Sequence, residues 1–148
     1  MQFRLRTLFI LVAITALVLW IGRSLFEAYQ APWDSYATWD GANLIIDHLR
    51  DHNGEWPKDW NDINLALQKR GQTRGGQSID ELKRRLTIDF NAEPAKLVTE
   101  IAQGDQPPFN VIRLRNGKQT HWAGAEPNGL IYDYLTNPEE YLNSGNYW

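Results

Sequence analysis

The chain contains no cysteine among its 148 residues. That absence excludes disulfide bonds, thiolate metal ligands, a cysteine nucleophile and a lipid-modified cysteine. Serine is scarce, and the Gly-x-Ser-x-Gly pattern of serine hydrolases is missing. No glycine-rich segment has the spacing of a phosphate-binding loop. The sequence therefore identifies no reaction, and it predicts a protein that is not an enzyme and holds no cofactor.

Positive charge is also in short supply, with 15 basic residues against 18 acidic ones and a net charge of −3. Nucleic-acid binding requires clustered positive charge, so no nucleic-acid partner is expected. Hydrophobic residues make up 43% of the chain, as in ordinary globular proteins. The length leaves room for a single folded domain.

One strongly apolar run without charges extends from Thr7 to Gly22 and is followed by Arg23. Sixteen helical residues cover about 24 Å, and continuation to Phe26 brings the helix close to the roughly 30 Å hydrocarbon core of a bilayer. Flanking arginines can extend to the lipid headgroups. We therefore predict a transmembrane helix over residues 7–26 that contacts the lipid bilayer.

Basic residues precede the apolar run, because Arg4 and Arg6 lie within the first six residues. This asymmetry predicts a cytoplasmic N-terminus over residues 1–6, a linker over 27–35 and an extracytoplasmic domain over 36–148. Beyond the predicted span the chain has twelve basic residues and eighteen acidic ones. On net charge alone, the domain is not expected to be attracted to an anionic membrane surface.

A cleaved signal peptide is the alternative to a retained anchor, since it also combines a basic start with a short apolar region. The only small-x-small cleavage motif, Gly22-Arg23-Ser24, carries a charge at its centre. The retained anchor is favoured, and processing stays open.

Helical signals dominate the first half of the domain. We expect Pro32 to interrupt any helix that continues from the membrane. Apolar residues then recur on one face of a predicted amphipathic helix over residues 36–52, which Asn53-Gly54 should end. A second helix should begin near Asp59, and Ser78 with Glu81 forms the pattern of a capping box.

Strand signals follow. Leu86, Ile88 and Phe90 alternate with polar residues, and Asn116-Gly117 predicts a hairpin. Asn128 is predicted to cap a further helix. The fold class is therefore α+β: an N-terminal transmembrane helix followed by a small domain of two or three helices and an antiparallel sheet of about three strands.

Two segments carry a family resemblance. The start Phe3-Arg4-Leu5-Arg6-Thr7-Leu8 resembles that of an uncharacterised family of short single-pass bacterial membrane proteins. The order of elements is similar to the layout of type IV pilins and type II secretion pseudopilins: a membrane helix, an amphipathic helix and then Gly54-Glu55-Trp56-Pro57. That resemblance implies a pilin-like fold. However, Gln2 stands at the position of the pseudopilin cleavage glycine, and Thr7 at that of the assembly glutamate.

Two histidines are candidate metal ligands. His48 and His52 lie one helical turn apart, a spacing that can hold zinc or copper, although the Glu of the metalloprotease pattern is absent. A solvated helix face, or charge pairing at the helix end, explains the same pattern. His121 with Glu126 is a candidate acid–base pair, so a small metal-dependent hydrolase that uses these four residues is a third hypothesis.

Tryptophan is unusually abundant, with seven in the chain. Exposed aromatic side chains anchor protein partners or stack on sugars, so Trp56, Trp60, His121 and Trp122 form a candidate binding patch. The alternative is that Trp39 and Trp60 fill the core while Trp56 packs against Pro57. The first functional hypothesis is a non-catalytic membrane-anchored module that binds an unidentified protein or envelope component. A pilin-like structural subunit is the alternative, and the oligomeric state stays open.

Overall fold

The computed structural model describes residues 5–99, 109–119 and 126–143. The chain divides into two compact units, residues 1–33 and 34–148. In the described ranges the elements are α1 (Leu5–Asp51), α2 (Trp60–Arg70), α3 (Ile79–Arg85), β1 (Leu86–Ile88), α4 (Pro94–Leu97), β2 (Ile112–Leu114), α5 (Pro127–Thr136) and α6 (Pro138–Asn143).

The N-terminal unit contains the first part of α1. Thirteen large apolar side chains between Leu8 and Phe26 are each between 43% and 69% exposed. This segment is long and apolar enough to cross a membrane, and none of its apolar window is buried in the protein. It is therefore a candidate membrane span.

Pro32 lies inside α1, so the predicted interruption of the helix at this residue is wrong. The predicted linker residues 27–35 are likewise helical. A proline inside a helix removes one backbone hydrogen bond and costs about 3 kcal/mol. We attribute the persistence of the helix to the segment that follows, since residues 37–49 are buried throughout.

In the C-terminal unit, residues 34–51 of α1 form the central helix. The prediction of an amphipathic helix with one apolar face was too narrow, because Leu44 and Ile45 are as fully buried as Ile46 and Leu49. A helix that is buried on every side needs packing partners all round, and the remaining elements of this unit supply them. The buried apolar side chains outside α1 include Trp56, Ile63, Leu82, Leu86, Ile88, Ile112, Leu114, Leu130 and Ile131.

The sheet has two antiparallel strands in the described part of the chain, with Leu86 opposite Leu114 and Ile88 opposite Ile112. It packs directly on α1, since a Cβ placed on Gly41 would lie 2.6 Å from Ile112 Cδ1 and 2.7 Å from Leu86 Cδ1.

The predicted third strand of the sheet is not observed within those described ranges. The Asn116-Gly117 turn does follow β2, with Gly117 at a φ of 70°. However, β2 pairs with β1 instead of with residues 118–119, which are not a strand. Residues 120–123, the rest of the predicted hairpin arm after the turn, lie outside the described residues.

Local capping signals are confirmed. Asp59 accepts hydrogen bonds from Asn61 N and Asp62 N at the start of α2. Ser78 and Glu81 form the complete capping box of α3. The final turn of α1 leads into Asn53 and Gly54, which have φ angles of 54° and 85°. These features depend on neighbouring residues only, which is why the sequence pattern predicts them.

Candidate functional site

The two histidines lie at the end of α1, and their rings stack with centroids 4.0 Å apart. His52 is exposed, and its Nδ1 lies 2.9 Å from the carbonyl oxygen of His48. His48 is 5% exposed, and its Nδ1 has no hydrogen-bond partner in the described structure. His48 is therefore not part of a solvated face, whereas His52 is exposed to solvent.

The surroundings of His48 favour a neutral imidazole. Burial lowers the pKa of His48, and the neighbouring His52 lowers it further, whereas Asp62, Asp51 and Glu55 act in the opposite direction. Among residues 5–99, 109–119 and 126–143, no three histidine, aspartate or glutamate side chains converge as metal ligands would. Metal binding at His48 and His52 stays a prediction from their spacing.

Trp56 belongs to the core. It is 8% exposed, and its Nε1 donates a 2.9 Å hydrogen bond to the carbonyl oxygen of Asp89. Trp60 is half-buried and meets Phe90 edge-on, with ring centroids 5.8 Å apart. Trp39 is likewise 8% exposed, and Trp60 packs against the core, as the alternative interpretation expects; Trp56 is buried as well and offers little surface to a ligand.

The remaining members of the predicted patch, His121 and Trp122, lie outside the described residues. Glu126, the proposed partner of His121, is the N-cap of α5. Its Oε2 accepts from Gly129 N at 2.8 Å, and its Oε1 accepts from Asn128 Nδ2 at 3.0 Å. Both carboxylate oxygens are thus engaged within α5.

Asn128 was predicted to cap α5, and this prediction is wrong because Glu126 has that role. Asn128 is 4% exposed and points at β2. Its Oδ1 accepts from Ile112 N at 3.0 Å, and its Nδ2 donates to Ile112 O at 3.1 Å. The side-chain amide thus occupies the position that the backbone of a third strand would take beside β2 at Ile112.

Acidic side chains of α1 hold the other elements in place. Asp47 and Asp51, near its end, pair with the last residues of α2: Arg70 Nε lies 2.6 Å from Asp47 Oδ2, and Lys69 Nζ lies 2.8 Å from Asp51 Oδ2. Asp34 pairs with Arg85 at the end of α3, at 2.6 Å.

Asp40 is the most deeply buried carboxylate of this group, at 1% exposure. It accepts hydrogen bonds from the backbone N–H groups of Arg74 and Gly75, each at 2.9 Å. Burial raises the pKa of Asp40, and these two bonds oppose that effect. The Gly71–Gln77 segment is therefore held to α1 by hydrogen bonds to Asp40.

Gly75 explains why glycine is needed in this loop. A Cβ at this position would lie 2.9 Å from Tyr36 Cβ and 3.1 Å from Asp40 Oδ2. The sequence analysis missed this contact, because Asp40 and Gly75 are 35 residues apart. The one available signal was the set of four aspartates, Asp34, Asp40, Asp47 and Asp51, in and just before the helix that was predicted to be amphipathic.

These contacts give the buried polar groups a structural explanation. Each aspartate of α1 is bonded to a cation or a backbone N–H within the same unit, and this arrangement positions loops and helix ends. A carboxylate whose lone pairs are occupied in this way is poorly placed for general acid–base chemistry.

No family model, curated protein or solved structure matches this chain. Its function must therefore be inferred from its own residues.

Proposed function

We propose that this protein is a single-pass membrane protein whose C-terminal unit is a non-catalytic module outside the cytoplasm that binds a protein or envelope component. The observation that carries the proposal is the exposure of the apolar half of α1 beside a unit with its own core. In water, leaving thirteen large apolar side chains half-exposed costs on the order of 10 kcal/mol. A bilayer removes that cost.

Orientation follows from the arginines before the span. Arg4 and Arg6 favour a cytoplasmic N-terminus. At the C-terminal end of the span, directly after the apolar run, Arg23 lies 3.0 Å from Glu27 and is 80% exposed. The partly neutralised charge at this end supports the same orientation.

A non-catalytic role is supported by the engagement of the polar groups described above. The imidazole of His48 is buried, and both oxygens of Asp40 and of Glu126 accept hydrogen bonds from their own unit. The chain uses these groups to orient its elements. Recognition of a partner then falls to the exposed surface of the C-terminal unit.

Topology is tested with single cysteines, because the native chain has none. Gln2→Cys and Gln68→Cys are expressed separately in intact cells and treated with a membrane-impermeant maleimide. Gln68 is exposed on α2. We expect label on the second variant alone before lysis and on both after it. Label on the first variant alone before lysis would show the opposite orientation.

Retention of the anchor is tested by carbonate extraction and intact mass. Full-length protein in the carbonate-resistant membrane fraction is the expected result. A soluble species shortened by a fragment that includes the apolar run would show that the segment is a cleaved signal peptide.

A pilin-like subunit is the alternative function. It is favoured by the direct packing of the sheet on α1 at Gly41, and by the buried Trp56-Pro57 step that follows this helix. Thr7, in the position of the assembly glutamate, weighs against filament formation. Electron microscopy of a sheared surface fraction distinguishes the two: filaments containing the protein favour the subunit, and a detergent-solubilised monomer favours the module.

A further inference from the structure

Basic residues of the C-terminal unit are concentrated in two short segments, 83–85 and 113–118. Together they contain six of the twelve basic residues that follow the span, and they contain no acidic residue. We name this set the basic collar: Lys83, Arg84, Arg85, Arg113, Arg115 and Lys118.

Tertiary contacts join the two segments. Arg115 donates its backbone N–H to Arg85 O at 2.7 Å, and its guanidinium donates to Lys83 O at 3.0 Å. Arg113 precedes this contact by two residues on β2 and is exposed, as is Lys118. The two halves of the collar are therefore adjacent in the fold, although they are about 30 residues apart in sequence.

Part of the collar lies at the point where α1 enters the C-terminal unit. Asp34, the first residue of this unit, accepts from Arg85 Nη1 at 2.6 Å and from Asn116 Nδ2 at 3.2 Å. Eight residues from Phe26 to Asp34 can extend to at most about 28 Å. The chain therefore keeps Asp34, and the Arg85 side chain bonded to it, within about 28 Å of the end of the predicted span.

Acidic groups near the collar do not cancel its charge. Asp34 is 8% exposed and is paired with Arg85. Glu81 is bonded to Ser78 and lies 3.9 Å from Arg84, whose side chain remains 75% exposed. Asp80 is exposed on the first turn of α3. Most of the acidic residues that make the domain negative lie on other segments.

We propose that the basic collar binds the phosphate groups of anionic phospholipids at the surface of the membrane that holds the anchor. This inference rests on the proposed membrane anchoring. Anionic lipid surfaces attract basic residues close to a span over about one Debye length, near 10 Å at 0.1 M salt. The expectation from net charge, that the domain is not attracted to the membrane, overlooks this asymmetry.

The test uses the full-length chain in vesicles. Gln119→Cys, an exposed position next to the collar, carries a fluorescent donor, and a headgroup-labelled lipid is the acceptor at constant density. Vesicles are either phosphatidylcholine alone or phosphatidylcholine with phosphatidylglycerol. We expect higher energy transfer in the anionic vesicles, and loss of the difference at 1 M salt, where the Debye length is near 3 Å.

Two triple variants that remove the same net charge test whether the effect belongs to the collar. Arg84→Gln, Arg113→Gln and Lys118→Gln together remove three exposed collar charges and spare Arg85 and Arg115, which hold the fold. The control set lies outside the collar and removes the same net charge: Lys58→Gln, Lys69→Gln and Lys96→Gln. The collar variant should lose the response to anionic lipid, and the control set should keep it. Circular dichroism verifies folding of both.

The outcomes distinguish failure of the collar proposal from failure of the proposed membrane anchor. If the protein floats with both vesicle types and energy transfer is equal in them, the collar proposal is overturned and the anchor stands. Equal loss in both triple variants would also overturn it, because the effect would then be one of net charge. Failure to float with either vesicle type would overturn the anchor and the collar together.

Discussion

The side chain of Asn128 closes one edge of the sheet, and its replacement by aspartate tests this role with almost no change in shape. In the native protein the amide accepts from Ile112 N and donates to Ile112 O, at 3.0 and 3.1 Å. A carboxylate can accept the first bond but cannot donate the second. It would also lie beside the carboxylate of Glu126, which now accepts from Asn128 Nδ2.

The expected loss of stability follows from the burial of Asn128 and Ile112. Ile112 is 2% exposed and Asn128 is 4% exposed, so water cannot easily replace a lost bond. A buried polar group left unsatisfied costs about 1–3 kcal/mol. Asn128→Ala leaves both backbone groups of Ile112 unpaired and should cost about 3 kcal/mol. Asn128→Asp should cost at least as much at pH 7, a large part of a typical stability of roughly 5–15 kcal/mol.

The two variants differ in their response to pH. Burial and the neighbouring Glu126 should raise the pKa of the introduced carboxyl in the folded state above its unfolded value. The folded variant then binds more protons than the unfolded one as the pH falls, so its stability relative to the native chain should recover. Asn128→Ala has no such group and should show no recovery.

Urea denaturation of the full-length protein in non-ionic detergent measures both effects, with tryptophan fluorescence as the signal at pH 7 and pH 5. Asn143→Asp is the control, because Asn143 is exposed on α6 and its change should stay within about 0.5 kcal/mol. Native-like stability of Asn128→Asp at pH 7, or the absence of recovery at pH 5, would refute this account of the sheet edge.

Three further predictions use the same assay. Gly41→Val should destabilise the protein by roughly 1–3 kcal/mol, since its Cβ would overlap side chains of the sheet. Gly22→Val is the control and should not destabilise it, because the space around Gly22 is open. Equal effects of the two changes would contradict close helix–sheet packing. Asp40→Asn should cost about 1–3 kcal/mol, because an amide oxygen satisfies fewer backbone donors than a carboxylate, and a neutral result would show that the 73–77 loop does not depend on it. The pKa of His48 in the folded protein lies below its unfolded value, so stability should fall as the pH drops from about 6.5 towards the folded pKa. His48→Gln should remove more of this pH dependence than His52→Gln. The reverse order would count against a buried neutral His48.

Features that depend on nearby residues were predictable. The apolar run from Thr7 marks the candidate membrane span, and the caps at Asp59 and Ser78 lie where their patterns predict them. The end of α1 near Asn53-Gly54 follows the same logic. In each case the signal and the structure lie within a few residues of each other, so hydropathy or a single side-chain bond decides the outcome.

Contacts between distant residues were decided by the tertiary structure. The partner of β2 is β1 instead of the next segment along the chain, because Leu86 and Ile112 pack together on Gly41. Asn128 satisfies an edge of β2 instead of capping its own helix. Asp40 holds a loop 35 residues away. Sequence periodicity carries no information on which distant backbone group a buried side chain will satisfy, and only the closed core brings these groups within bonding distance.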